Sequence, residues 1–124
     1  MARVLIAEDE EPVRTLVARA LVEDGHEVVT AADGAEALDK LQSEGGRFDL
    51  LLTDIKMPVM DGLALALATA RDFPKLPILL MTGFADQRER ASGLEALISD
   101  VISKPFSVAD IRFAVAAALA KGKR

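Results

Sequence analysis

The chain predicts an α/β fold, a parallel sheet with helices on both faces. Three observations carry this. Short apolar runs recur along the sequence, helical periodicities fill the intervals between them, and the apolar runs lack the clean alternation of a strand with one wetted face.

Each element has its own signal. The first strand is predicted at residues 4–7. Pro12 then opens a helix with Val13, Leu16, Val17, Ala20 and Leu21 at helical spacing, closed by Asp24-Gly25. A second strand follows at 28–31, with His26, the sole histidine, expected to lie exposed just before it. Asp33-Gly34 starts the next helix, which carries Ala35, Ala37, Leu38 and Leu41 and ends at Gly45-Gly46. The third strand is predicted at 50–53 and the third helix at 62–73, where Pro74 stops it, with Asp61-Gly62 as its turn and start. The fourth strand covers 78–81. Residues 85–97 predict a fourth helix, polar and interrupted by Gly93. A weaker fifth strand, Asp100–Ser103, precedes a helix capped by Ser107, with Val108, Ile111, Val115 and Leu119 on one face.

Composition narrows the function. At 124 residues, 51% hydrophobic and 28% charged, the chain fits one globular, soluble domain spanning 1–124. A net charge of -5 argues against nucleic-acid binding as the main activity, and the only aromatics are five Phe, a poor platform for stacking bases. The absence of cysteine removes disulfides, thiolate metal sites and thiol nucleophiles. The opening "MARVLIAEDEE" turns acidic too soon for a signal peptide or a membrane span, so a cytoplasmic location is expected.

Acids gather where such sheets bind ligands, at the carboxyl ends of the strands. The first strand leads into Glu8-Asp9, with Glu10 and Glu11 following, and the third leads into Asp54. Carboxylates brought together repel one another unless a cation sits among them, and an all-oxygen set suits Mg²⁺. Two more strand ends bring the Thr82 hydroxyl and the Lys104 ammonium. With Mg²⁺, the formal charges of Glu8, Asp9, Asp54 and Lys104 sum to zero. The set suits phosphoryl handling: Asp54 as nucleophile, with Lys104 and Thr82 donating to phosphate oxygens. Singly, each residue has an ordinary explanation as a helix cap, a strand residue or a surface charge. Their arrival at four strand ends together does not.

The motifs "VLIAEDE", "LLLTDIKMPVMDG", "MTG" and "SKPF", in this order and spacing, closely resemble the CheY-like receiver domains of bacterial two-component response regulators. The resemblance implies a flavodoxin-like (βα)5 fold with strand order 2-1-3-4-5. It also implies Asp54 as phosphoacceptor, and Mg²⁺ held by Glu8, Asp9, Asp54 and the Lys56 backbone carbonyl. Thr82 is then the switch hydroxyl, Lys104 the phosphate-binding lysine, and Lys104–Pro105 a cis bond. Lys56 and Phe84 match positions that affect water access to the phosphoryl group, and Phe84 predicts slow hydrolysis. Three features depart from the family pattern. Glu8 stands where aspartate is commoner, Val101 where an aromatic switch residue is usual, and Leu97-Ile98-Ser99 where small residues usually turn.

The implied role is a stand-alone phosphoprotein rather than an enzyme, at most transferring phosphoryl groups to and from its own Asp54. The donor would be a sensor histidine kinase or a histidine phosphotransferase. The output would be docking to a downstream protein, and the motifs are similar to those of CpdR-type receivers that regulate a Clp protease. Ala109, Phe113, Ala116 and Ala120 form a second stripe on the last helix, a candidate docking strip with Phe113 as anchor beside Val101; widening of the core face is the alternative. Two rival functions remain open: a phosphorylation-independent interaction module, and a small Mg²⁺-dependent aspartyl-phosphate phosphatase. Against the second, Lys56 replaces the acid such a phosphatase places two residues after its nucleophile. A flavin site is disfavoured because Glu8 to Glu11 would repel a phosphate.

Overall fold

Five parallel strands alternate with five helices: β1 (Arg3–Ala7), α1 (Glu11–Glu23), β2 (Glu27–Ala31), α2 (Gly34–Ser43), β3 (Leu50–Asp54), α3 (Gly62–Asp72), β4 (Ile78–Thr82), α4 (Ala85–Ser92), β5 (Asp100–Ser103) and α5 (Val108–Gly122). The structure is a computed structural model. It describes residues 1–83 and 85–122, with the backbone alone at 85–88. The strands pair in the order β2-β1-β3-β4-β5. No helix among the described residues is long and apolar enough to cross a membrane.

The missing alternation in the strands has a direct cause. Leu5, Leu51, Ile78 and Leu80 pack to one side with Ala37, Leu41, Leu65 and Ala91, beneath α2, α3 and α4. Val4, Ile6, Leu50, Leu52, Leu79 and Met81 pack to the other with Val17, Leu21, Ile111 and Val115, beneath α1 and α5. Successive side chains point to opposite faces, and both faces are dry. All five residues of β3 and of β4 are buried, whereas edge strand β2 is mostly half-buried and edge strand β5 has both its end residues exposed.

Capping places the helix starts. The Asp33 carboxylate accepts from the Glu36 N–H at 2.8 Å, and Glu36 reaches back to accept from the Ala32 N–H at 3.1 Å. Ser107 and Asp110 cap α5 reciprocally, each side chain accepting from the other's N–H at 3.0 Å. Asp61 caps α3 through the Ala64 N–H at 2.8 Å.

Two expectations need correction. The fourth helix ends at Ser92 rather than running to Leu97. From Gly93 the chain tightens into turns, with the Leu94 and Leu97 N–H groups donating to the carbonyls of Ala91 and Leu94. His26 is half-buried rather than exposed, and its Nδ1 accepts from the Ala2 N–H at 3.1 Å, tying the chain start to β2.

Candidate functional site

Register brings the singled-out residues to one edge of the sheet. Ala7 pairs with both Ala31 and Thr53, Asp54 with Met81, and Thr82 with Ser103. The carboxyl ends of β1, β3, β4 and β5 therefore deliver Glu8 and Asp9, Asp54, Thr82 and Lys104 to adjoining positions. The Glu8 N–H continues the ladder by donating to the Ala31 carbonyl at 3.0 Å, and the Lys104 N–H donates to the Thr82 carbonyl at 2.7 Å.

Lys104 is the hub. Its Nζ lies 2.8 Å from Glu8 Oε1, 3.2 Å from Asp54 Oδ1 and 3.9 Å from Glu10 Oε1. Glu8 is fully buried and Asp54 is 4% exposed, whereas Asp9 is exposed. The second Glu8 oxygen accepts from the Glu10 N–H at 3.1 Å. The Lys104–Pro105 peptide bond is cis, the isomer the resemblance implies.

One ammonium thus serves two buried carboxylates, leaving an excess negative charge. Burial pushes the Glu8 carboxyl up to about 7; the Lys104 hydrogen bond opposes this and the Asp54 charge adds to it. Burial also raises Asp54 against the pull of Lys104. For Lys104, burial disfavours the ammonium, but the Glu8 hydrogen bond and the two carboxylate charges outweigh it, so its pKa rises. The site favours a positive partner, and one carboxylate oxygen each from Glu8, Asp9 and Asp54 lie within 4.8 Å of one another. An all-oxygen cluster with unbalanced charge fits a hard divalent cation such as Mg²⁺.

The loop after Asp54 is held tightly. The Gly62 N–H donates to the Ile55 carbonyl at 2.7 Å, and a Cβ on Gly62 would sit 1.9 Å from the Asp54 carbonyl oxygen. Only glycine permits that approach. Val59 turns the same loop at φ 68°, a left-handed conformation rare for a β-branched residue. Lys56 is exposed on this loop, Thr82 is 2% exposed at the end of β4, and Phe84 lies outside the described residues.

The remaining candidates lie away from this edge. Val101 is half-buried against the core under α2, α3 and α4. Phe113 is 78% exposed, and Ala109, Ala116 and Ala120 are exposed beside it, so this stripe does not widen the core face.

Two contributors carry no sequence motif. Arg14 donates to the Glu8 carbonyl at 2.8 Å, and a cation one turn into the helix after an acidic run was its only signal. Arg90 on α4 pairs with the capping Asp61 at 3.0 Å, a link between residues 29 apart that no local pattern reveals. The Ala64 N–H and Arg90 together overcome partial burial and hold the Asp61 carboxyl below its ordinary range.

Comparison with known proteins identifies the family. A family model described as the response regulator receiver domain matches residues 4–116. The response regulator receiver protein CpdR of Brucella abortus is 40% identical over 111 residues, covering 90% of this chain and 91% of that one. The alkaline phosphatase synthesis transcriptional regulatory protein PhoP of Bacillus subtilis is 32% identical over 98% of this chain, which spans half of PhoP's length. Among solved structures, TrrA of Thermotoga maritima in complex with Mg²⁺-BeF is 32% identical, with a TM-score of 0.83 over 94% of this chain and 97% of that one. Chemotaxis response regulator CheY4 of Vibrio cholerae gives 0.82 at 32% identity with the same coverage. The chain belongs to the receiver domain family of two-component response regulators.

Proposed function

We propose that the chain is a response-regulator receiver that accepts one phosphoryl group on Asp54 from a phosphohistidine donor with Mg²⁺ and signals by phosphorylation-dependent docking. The observation that carries this reading is the Lys104 ammonium held between two buried carboxylates, at 2.8 Å from Glu8 and 3.2 Å from Asp54. An Asp54 carboxylate oxygen attacks phosphorus; the new O–P bond forms as the P–N bond to the donor imidazole breaks, and the imidazole keeps the electron pair. Mg²⁺ held by Glu8, Asp9, Asp54 and the Lys56 carbonyl would neutralise the phosphoryl oxygens. Lys104 moves its hydrogen bond to one of those oxygens, and Thr82 donates to another. The protein turns over no external substrate.

The donor in this reading is a sensor histidine kinase or a histidine phosphotransferase in the cytoplasm. The downstream partner is a protein, with a Clp protease system the candidate that the CpdR resemblance implies. Phe113 and its alanine stripe offer that partner an apolar anchor. Acetyl phosphate and Mg²⁺ should add one phosphoryl mass to the intact protein and none to Asp54→Asn. Equal labelling of the variant would overturn the assignment.

A further inference from the structure

The β1–α1 junction carries three successive acids, Glu8, Asp9 and Glu10, between a strand that ends at Ala7 and a helix that starts at Glu11. It has little of the usual machinery for such a turn. Glu10, the N-cap, is extended at φ -81° and ψ 111° and makes no side-chain cap bond, and Pro12 in the first turn brings no N–H. Like charges on neighbouring residues drive such a segment apart, yet here Glu8 points inward to Lys104 while Asp9 stays at the surface within reach of Asp54.

One residue ties the three carbonyls of this junction. The Arg14 guanidinium donates from Nη1 to the Glu8 carbonyl at 2.8 Å and more weakly to the Asp9 carbonyl at 3.5 Å. Its backbone N–H donates to the Glu10 carbonyl at 2.9 Å. Arg14 sits on α1, so the helix itself grips the loop, and the peptide planes that set the directions of Glu8 and Asp9 are held from behind.

We propose that Arg14 is the positioning residue of the acid pair: its planar guanidinium, bound to the Glu8 and Asp9 carbonyls, sets the two carboxylates at the spacing a divalent cation needs. This inference rests on the metal-binding reading given above. Arg14 is cationic, so if it acted only through charge, removing it would strengthen Mg²⁺ binding. If it acts by positioning, removing it weakens binding, and groups that hold metal ligands in place typically account for about 10- to 100-fold in affinity.

The test is Mg²⁺ titration of the full chain by calorimetry, with thermal unfolding by circular dichroism on each variant. Arg14→Ala should bind Mg²⁺ about tenfold more weakly. Arg14→Lys keeps the charge but lacks a planar fork, so it should also bind more weakly. Unchanged or tighter binding by Arg14→Ala overturns the proposal, as does full retention by Arg14→Lys. Should Arg14→Ala fail to fold, the Arg14→Lys result decides alone. Asp9→Asn is measured in parallel to separate the two levels. If it weakens binding while both Arg14 variants bind as the wild type does, only the role of Arg14 falls. If it too binds Mg²⁺ as tightly as the wild type, both this inference and the metal-binding reading fail.

Discussion

Replacing Glu8 with glutamine should stabilise the metal-free protein at neutral and alkaline pH, although it removes one half of an ion pair. The reason lies in burial. Glu8 is fully buried beside Asp54, and its carboxyl is pushed from the ordinary 4.5 up to about 7. Between those values the folded state keeps a proton that the unfolded chain has released, so stability falls as pH rises from about 4.5 to about 7 and stays low above it. At about 1.4 kcal/mol per pH unit, the ionised Glu8 costs about 3 kcal/mol at pH values above 7. Glutamine, like protonated Glu8, offers Lys104 a neutral acceptor, and Lys104 keeps Asp54 at 3.2 Å; the attraction of Lys104 for the ionised carboxylate is already contained in the raised Glu8 carboxyl. The net gain expected in Glu8→Gln is therefore about 3 kcal/mol at pH 8, vanishing near pH 4, where Glu8 is protonated in both states. Urea unfolding followed by far-ultraviolet circular dichroism suits a chain with neither Trp nor Tyr, and a chelator keeps the site free of metal. Destabilisation by Glu8→Gln at pH 8, or the same difference at pH 4 and pH 8, would show that burial does not disfavour the ionised Glu8.

Three further outcomes follow from single contacts. Gly62→Ala forces a methyl into the Asp54 carbonyl, so it should cost about 1–3 kcal/mol in urea unfolding and slow labelling by acetyl phosphate; wild-type stability and rate would contradict the close packing. Val59→Gly should stabilise by about 0.5–1 kcal/mol, because the relief of the left-handed φ outweighs the added freedom of the unfolded chain, and a lower melting temperature would count against that strain. Phe113→Ser should leave stability and Asp54 labelling within error while weakening capture of the phosphorylation-dependent partner; severe loss of stability would show that the ring packs inward.

Much of the fold was legible because the central strands are dry apolar runs that lead into a turn or an acid, and each long helix has a clear cap or stop. The length of the fourth helix is hard to read because its pattern is polar, with Ala91 the one buried side chain described on it, and Gly93 ends it earlier than the pattern implies. The acids at the strand ends were legible because parallel strands must deliver their ends to one edge. The Glu8–Lys104 pairing was not, since it joins residues 96 apart through a side-chain reach that only the folded backbone sets. Arg14 escaped notice because it acts on carbonyl oxygens, which every residue has. The left-handed turn at Val59 was hidden because a β-branched residue gives no sign of it, whereas a glycine or asparagine there would have done so.

The most direct test of the central claim is to locate the acyl phosphate itself. After reaction with acetyl phosphate and Mg²⁺, borohydride reduces an aspartyl phosphate to homoserine, and peptide mass mapping locates the converted residue. Homoserine at position 54, dependent on Mg²⁺ and lost in Lys104→Ala or greatly reduced there, is the result expected. Conversion at Asp9 or at another acid, or none at position 54 under conditions that label the protein, would contradict the assignment of Asp54 as phosphoacceptor.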